Sequence, residues 1–171
     1  AVAQRIPVIK TSGLHRLAAA TRPLHWKLLT PLQMKFLTRL PVTRRVALDD
    51  KRFYLVHATP RDPFDEYLRN DQAAWEARLN GIDADFVLVG HTHVPTSFHM
   101  PETSDDHLCE PRAPRYNQPI SLSSGRWIIN PGSVGQPRDG LPYAAYAILD
   151  LDTNTIEHRR VEYPVEETQE R

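Results

Sequence analysis

The fold is decided by one stretch of the sequence, Ala84-Asp85-Phe86-Val87-Leu88-Val89-Gly90-His91-Thr92-His93. Its first half is an apolar run with the length and composition of a buried strand. The run ends at a glycine, which permits a tight backbone turn, and two histidines follow that lie two residues apart. Neutral imidazole is a good ligand for Zn, Mn, Fe and Ni. The stretch therefore predicts a buried strand whose C-terminal end carries a candidate metal-binding loop.

A second predicted strand ends in the same way. Residues 53–56 form a short apolar run, and His57 follows it directly. A lone histidine after a strand is usually a hydrogen-bonded structural residue. Because His91 and His93 follow their own strand in the same manner, we interpret all three histidines as candidate metal ligands. We expect their ring nitrogens to lie about 4 to 8 Å apart at one edge of a sheet.

The first forty residues predict helices. Residues 14–40 have apolar side chains at helical spacing, and Pro23 is expected to break or restart the helix. A new start is predicted at Thr30, which precedes Pro31 and has Gln33 three residues later, the pattern of a capping box. The apolar face of this second helix is expected to pack against a sheet; it consists of Leu32, Phe36 and Leu40.

The remaining elements follow from hydrophobic periodicity and turn residues. The proline-rich stretch after Pro95 predicts a long surface loop. The other predictions are a strand over 42–48, a turn at 49–51, a short helix over 71–80, strands over 127–129 and 143–149, an edge strand over 155–161 and a disordered tail over 164–171.

Composition narrows the class of protein. Lysine plus arginine and aspartate plus glutamate number 21 each, so no basic excess indicates binding to a nucleic acid or an anionic membrane. The chain contains no apolar run of about 20 residues and no secretion signal, which predicts a soluble cytoplasmic protein. Cys109 is the single cysteine, so a metal site would need His, Asp or Asn ligands.

Three segments together resemble one known superfamily. They are His57-Ala58-Thr59-Pro60-Arg61-Asp62-Pro63, residues 84–95 around Gly90-His91-Thr92-His93, and Asn130-Pro131-Gly132-Ser133-Val134-Gly135-Gln136-Pro137-Arg138-Asp139-Gly140. Their order is similar to that of the calcineurin-like metallophosphoesterases, in the branch of small prokaryotic phosphodiesterases related to diadenosine tetraphosphatases. The resemblance extends over residues 14–150, and Ala58 stands where the family usually has glycine.

The resemblance implies an α/β fold, a two-sheet sandwich flanked by helices, with a site for two divalent ions (Mn, Fe, Ni or Zn). It places His57 and His91 on the second metal and His93 on the first, with a carboxylate bridging both ions. Family members take their other ligands from Asp-x-His, Gly-Asp-x-x-Asp and Gly-Asn-His-Asp motifs, the last of which also supplies the histidine that assists the leaving group. None of these motifs precedes His57 here.

Three expectations about the extent of the domain follow from that absence. By the spacing of the family, Ala1 resembles the residue just after the Asn-His-Asp motif, so we expect the leaving-group histidine upstream of Ala1 and assign no catalytic residue within the chain. Residues 1–163 are expected to be the C-terminal portion of a single domain whose N-terminal part is missing. Strands that have lost neighbours expose their apolar side chains. Residues 53–56 and 86–89 should then border an open apolar surface.

Other candidate positions have weaker support. By resemblance, Asn130, Gly132 and Ser133 form a loop beside the metal site, where backbone amides could meet a phosphate. The sequence Asp105-Asp106-His107 matches Asp-x-His, but we interpret it as part of a solvated loop because no apolar strand precedes it. The other histidines are expected to be partly exposed; they are His15, His25, His99 and His158.

These observations predict a metal-dependent phosphodiesterase or phosphatase acting on a small phosphate ester, and they leave a homo-oligomer open. The alternative is a metal-free phosphoesterase-like scaffold or binding module without catalysis. Retention of three candidate ligand histidines favours the enzyme. Because the bridging carboxylate and the leaving-group histidine are not among these residues, the chain alone is expected to hydrolyse phosphate esters only at background rates.

Overall fold

The computed structural model describes residues 14–67, 79, 81–102, 110–122 and 124–169, and the chain divides into two compact units at Pro41 and Val42. The first unit contains helices α1 (Leu14–Leu28) and α2 (Pro31–Arg39). α1 continues through Pro23, so the predicted break at this residue is wrong. A proline inside a helix removes one backbone hydrogen bond, and the other turns of α1 carry the helix past it.

The start of α2 has the predicted capping box. The backbone N–H of Gln33 donates to Thr30 Oγ1 (3.3 Å), and the backbone N–H of Thr30 donates to Gln33 Oε1 (2.8 Å). Leu32, Phe36 and Leu40 on the apolar face of α2 are 78, 63 and 51% exposed, and the packing of this face against a sheet stays a prediction. Helical spacing determines which side chains share a face, but it does not determine whether another element covers that face.

The second unit contains nine strands within the described residues. They are β1 (Thr43–Leu48), β2 (Lys51–Val56), β3 (Phe86–Leu88), β4 (Thr96–Met100), β5 (Glu110–Arg112), β6 (Pro119–Ser121), β7 (Arg126–Asn130), β8 (Ala144–Asp150) and β9 (Thr155–Val161). Six form the large sheet in the order β1-β2-β3-β7-β4-β5, and three form the small sheet in the order β6-β9-β8. The predicted mixed α/β fold with two sheets is confirmed.

The two sheets differ in strand direction. β2, β3 and β7 run parallel to one another, whereas the other pairings in the large sheet are antiparallel. The small sheet is antiparallel throughout, with β9 at its centre, so the predicted position of the strand over 155–161 at an edge is wrong. The short turn at 151–154 forces β8 and β9 into an antiparallel pair, and β6 then occupies the free side of β9.

Alternation along the parallel strands divides the side chains of the large sheet between two cores. One core lies between the sheets and contains Phe53, Phe86, Leu122, Trp127, Ile129 and Ile156. The other lies on the opposite face and contains Tyr54, Val56, Leu79, Ala84, Val87, Val89, Phe98 and Ile128. Because both faces are covered, residues 53–56 and 86–89 are buried or partly buried, and the open apolar surface expected along them is not found.

The proline-rich stretch after Pro95 contains strands rather than one long loop. Pro111 lies in β5 and Pro119 in β6, and these strands are at the edges of their sheets. A proline at an edge breaks no ladder hydrogen bond on the side that has no neighbouring strand. β4 precedes both prolines and buries Ser97, Phe98 and His99.

The described residues end in a short helix, α3 (Val165–Gln169), which lies within the segment predicted as a disordered tail. Glu166 and Glu167 lie in its first turn, where negative charge is favourable to the helix dipole. The predicted helix over 71–80 lies outside the described residues apart from Leu79, which is helical and buried. Within the described part of the chain, no helix has the length and apolarity needed to cross a membrane.

Candidate functional site

Three loops meet at one edge of the large sheet because they leave the carboxyl ends of its parallel strands. His57 follows β2, the segment from Gly90 to His93 follows β3, and Asn130 ends β7. The backbone N–H of Gly90 donates to the carbonyl of His57 (2.9 Å), which extends the β2–β3 pairing into the loops. The carboxyl ends of parallel strands are a common location for ligand sites in α/β proteins. The edge defined by these loops is the candidate site.

The rings of His57 and His91 face each other across this edge. His57 Nε2 and His91 Nδ1 are 3.0 Å apart, and the ring planes meet at 73°. The predicted spacing of about 4 to 8 Å between ring nitrogens is therefore wrong for this pair. Two nitrogens bound to one ion at about 2.0 to 2.1 Å, in tetrahedral or right-angled positions, lie about 2.9 to 3.4 Å apart. The observed distance fits two ligands of the same ion.

Burial lowers the pKa of both rings. For His57, burial has the largest effect, and repulsion from His91 and His93 lowers the pKa further. For His91, burial is again the largest cause; Asp65 raises the pKa, whereas Arg138 and His93 lower it. A lowered pKa keeps each imidazole neutral near pH 7, and the neutral ring has a lone pair to offer a cation.

The second nitrogen of His91 has an incomplete environment. His91 Nε2 is buried and lacks a hydrogen-bond partner of good geometry within the described ranges. The backbone of Asp65 lies near enough to raise the pKa of this ring, which favours a proton on the ring. The ring of Tyr67 packs against His91 with centroids 4.4 Å apart. A proton on Nε2 would leave the lone pair of Nδ1 free on the side that faces His57.

His93 is held by the loop that follows β7. His93 Nδ1 lies 2.7 Å from the carbonyl oxygen of Gln136. A carbonyl oxygen only accepts, so Nδ1 carries the proton and Nε2 keeps a free lone pair. A backbone carbonyl that fixes the tautomer in this way is typical of a metal-binding histidine. His93 also influences the pKa of His57 and of His91, so it lies within electrostatic reach of both.

The turn after β3 is made by the histidines themselves. His91 and His93 have φ values of 63° and 59°, in the left-handed region that costs a residue with a side chain about 1 to 2 kcal/mol. Gly90 is not among the glycines with positive φ, so the predicted use of this glycine for the tight turn is wrong. Strained backbone persists where the surrounding structure requires it, and it often occurs at functional sites.

Asn130 joins two of the loops. Its side chain is buried, with Nδ2 donating to the carbonyl of Gly90 (2.9 Å) and to Thr92 Oγ1 (2.8 Å). Its Oδ1 accepts from the backbone N–H of Gly132 (2.9 Å). Both polar atoms of the side chain are therefore used to hold the backbone on either side of His91 in register with the loop after β7.

The same loop requires glycine at one position. Gly132 has a φ of 94°, and a Cβ there would lie 2.6 Å from Pro95 Cγ and 2.7 Å from Ala145 Cβ. Ser133 Oγ accepts from the backbone N–H groups of Gly135 (3.2 Å) and Gln136 (2.9 Å), which closes the turn. These contacts explain the local conformation. A phosphate contact by Asn130, Gly132 or Ser133 stays a prediction.

Other sequence candidates are separate from this edge or undescribed. Residues 105–107 lie outside the described residues. His99 and His158 are buried rather than partly exposed, since His99 stacks on Trp127 and His158 Nε2 lies 3.1 Å from Ser97 Oγ. Among the residues whose placement is described, no group of three or more His, Cys, Asp or Glu side chains is arranged to hold a metal ion. The assignment of His57, His91 and His93 as metal ligands stays a prediction.

The leaving-group histidine and the other ligands expected from the three family motifs lie outside the described residues. They were expected upstream of Ala1, and Ala1 itself lies outside the described residues, which begin at Leu14. The placement of this histidine, and of the three family motifs expected with it, therefore stays a prediction. None of the histidines that follow β2 and β3 is assigned the role of proton donor to a leaving group.

Two neighbours of His91 were missed from the sequence. Tyr67 contacts the ring of His91, and the charge of Arg138 lowers the pKa of this ring. Arg138 lies two residues after Gln136, the partner of His93, within the segment from Asn130 to Gly140. Its position in this segment could have indicated that Arg138 lies near the histidines. Nothing in the sequence indicated Tyr67, because the loop after His57 has no regular periodicity that would place residue 67.

Comparison with known proteins identifies the family. The chain belongs to the calcineurin-like phosphoesterase superfamily, because the pattern of the calcineurin-like phosphoesterase superfamily domain matches residues 30–154. The crystal structure of a metallophosphoesterase from Sphaerobacter thermophilus is similar with a TM-score of 0.75 and 34% identity, over 90% of this chain and 62% of that one. An uncharacterized protein of Methanocaldococcus jannaschii is 35% identical over 140 residues, 81% of this chain and 52% of that protein.

A third relative shows the fold alone. A hypothetical protein from Pyrococcus horikoshii OT3 has a TM-score of 0.64 at 21% identity, over 89% of this chain and 54% of that one. The chain spans about half the length of the curated relative, 52%.

Proposed function

We propose that the protein is a metal-dependent phosphodiesterase or phosphatase and that this chain contributes the histidine side of its site. His57 and His91 hold one divalent ion, and His93 holds a second. The observation that carries the proposal is the separation of 3.0 Å between His57 Nε2 and His91 Nδ1. Two neutral imidazoles at this distance fit neighbouring positions on a Zn, Mn, Fe or Ni ion.

The roles of the protein residues follow from their contacts. His57 and His91 present lone pairs from two neighbouring strands, and Asn130 fixes the backbone between Gly90 and Thr92 that carries His91. The carbonyl of Gln136 holds His93 in the tautomer with Nε2 free. When bound, divalent ions lower the pKa of water and offset the negative charge of phosphoryl oxygens. The proposed substrate is a small phosphate ester, in keeping with the balanced charge of the chain, and the proposed location is the cytoplasm.

A second candidate function is a phosphoesterase-like scaffold that binds no metal. It is favoured by the absence, among the residues that the structure describes, of a ready group of three or more metal-ligating side chains. In this case the contact between His57 and His91 would be a hydrogen bond that serves only to join the ends of β2 and β3. The two candidates differ in whether the chain binds a divalent ion at these histidines.

Titration calorimetry with Zn²⁺ and with Mn²⁺ separates the two candidates. We expect one ion to bind at the pair of histidines. The His57→Ala variant should bind this ion at least about 10-fold more weakly, because loss of a residue that only supports a metal ligand already lowers metal affinity by about 10- to 100-fold. His25→Ala is the matched control because His25 lies on α1. Equal affinity of the wild type and His57→Ala, or no binding by the wild type, would refute the metal site in this chain and favour the scaffold.

Hydrolysis of bis(p-nitrophenyl) phosphate with Mn²⁺ tests the predicted division of labour. This chain alone should hydrolyse the ester only at the background rate, because no bridging carboxylate and no proton donor for the leaving group are assigned within it. Loss of the proton donor alone lowers the rate by about 10²- to 10⁴-fold. A longer form that carries the three expected family motifs upstream of Ala1 should be active, and His91→Ala in that form should abolish turnover. Chelator-sensitive turnover by the 171-residue chain would refute the incomplete site.

A further inference from the structure

Arg138 is a cation at the candidate site whose side chain pairs with no carboxylate among the described residues. Its charge lowers the pKa of His91, and its backbone N–H donates to the carbonyl of His93 (3.3 Å). The neighbouring carboxylate of Asp139 pairs through Oδ2 with Arg160, and its Oδ1 is buried with no hydrogen-bond partner among the described residues. Asp139 therefore pairs with Arg160, whereas Arg138 acts on the ring of His91 through its charge and on the backbone of His93 through a hydrogen bond.

The side chain of Arg138 is braced but only partly satisfied. Arg138 donates from one terminal nitrogen to Gln136 Oε1 (2.8 Å), and the backbone carbonyl of the same Gln136 holds His93. Arg138 Nε is buried with no hydrogen-bond partner among the described residues. A partly desolvated charge with unused donors is costly in free energy, so an anion that pairs with it is strongly favoured.

The chemistry of the site indicates which anion would bind. Guanidinium presents its donors in a planar fork that matches two oxygens of a phosphate. A cation next to a second cationic centre is repelled unless an anion lies between them. If His57 and His91 hold a divalent ion, a phosphate located between that ion and Arg138 relieves the repulsion and accepts hydrogen bonds from the guanidinium.

We propose that Arg138 binds the phosphoryl oxygens of the substrate, with its guanidinium braced by Gln136 against the loop that carries His93. This inference rests on the proposed phosphoesterase function, and it assigns the recognition of the phosphoryl group to a residue outside the three histidines. Gln136 has two parts in this arrangement, since its backbone orients His93 and its side chain orients Arg138.

The test is calorimetric titration of inorganic phosphate into the Mn²⁺-loaded chain. Arg138→Gln should raise the Kd for phosphate by about 10- to 100-fold, as expected for the loss of a charge-assisted contact. Arg138→Lys, which keeps the charge and loses the fork, should give an intermediate Kd. Arg44→Gln on the exposed face of β1 is the matched control and should leave the Kd unchanged. The Kd for Mn²⁺ and the melting temperature are measured for each variant.

The outcomes separate this inference from the proposed function. A phosphate Kd unchanged in Arg138→Gln, in a variant that folds and binds Mn²⁺ normally, would overturn the role of Arg138 and leave the metal site standing. If no form binds Mn²⁺, the proposed function fails, and the phosphate titration is then made without metal. In that titration, weaker binding by Arg138→Gln supports the role of Arg138 in binding phosphate, and unchanged binding overturns it.

Discussion

The interiors of the two sheets and the loops at the carboxyl edge of β2, β3 and β7 follow different rules, although they belong to the same strands. In the interior, side chains alternate between two apolar cores. At the edge, two histidines have positive φ, an asparagine is fully used in joining loops, and an arginine has a buried donor with no partner among the described residues. We therefore expect stability to depend mainly on the interior and the proposed chemistry to depend on the edge.

The largest effect that would sharpen this contrast is expected for Ile128→Ala. Ile128 is fully buried in the middle of β7, and loss of a buried isoleucine side chain costs about 2 to 5 kcal/mol in the free energy of unfolding. Urea denaturation measures the loss, and Ile148→Ala on β8, where the side chain is 40% exposed, is the matched control. The folded fraction should bind Mn²⁺ with unchanged affinity. A loss below about 1 kcal/mol would show that the interior does not carry the stability.

Asn130→Ala is expected to change both properties, because Asn130 links strand and loop. The backbone N–H of Gly132 loses its partner, which costs about 1 to 3 kcal/mol, whereas the carbonyl of Gly90 still accepts from the backbone N–H of Thr92 (2.7 Å). The affinity for Mn²⁺ should fall about 10- to 100-fold, as for other residues that support a metal ligand. Asn154→Ala removes a hydrogen bond to the carbonyl of Leu122 beside the small sheet and should leave the metal affinity unchanged. Equal metal affinities in both variants would break the proposed link.

The third prediction concerns a buried histidine in the interior. Burial lowers the pKa of His158, so the unfolded chain takes up a proton near its ordinary pKa of about 6.5 before the folded chain does. The unfolded state then binds more protons, and stability falls as the pH drops below about 6.5, by at most about 1.4 kcal/mol per pH unit for this group. His158→Gln should reduce this slope. The free energy of unfolding of each protein is measured by urea denaturation from pH 5 to pH 8, and each protein is compared with its own value at pH 8. An identical slope in both proteins would contradict the assignment.

The smallest effect tests the strained turn. His91→Gly and His91→Ala both remove the imidazole, but glycine adopts a φ of 63° without the cost that alanine has. We therefore expect the glycine variant to be about 1 kcal/mol more stable than the alanine variant in urea denaturation. Alanine equal to glycine in stability would mean that the left-handed backbone is not retained.

The sequence predicts the interior better than the edge, for physical reasons. Apolar runs fix β2, β3 and β7 because burial on both faces selects apolar residues, and Thr30 and Gln33 fix the start of α2 through local hydrogen bonds. β5 and β6 were missed because proline argues against a strand until the strand is known to lie at an edge. The order of strands in a sheet is a long-range property that local periodicity does not contain.

At the edge, residue type was informative and geometry was not. His57, His91 and His93 were identified as candidates, but their spacing, the left-handed turn and the contact of Tyr67 with His91 depend on how distant segments meet. Membership of the superfamily confirms the resemblance derived from the three quoted segments. The ligand roles of the histidines stay predictions.

The long sequence separations across the edge have a consequence for the order of folding. His57 and His91 are 34 residues apart, Asn130 and Gly90 are 40 apart, and His93 and Gln136 are 43 apart. Contacts between distant residues form only after the entropy of closing the intervening loops has been lost. The loops can therefore reach this arrangement only late, when β7 has joined β3. A cation that binds there selects molecules that have already completed folding, and its stabilising effect appears as slower unfolding rather than faster folding.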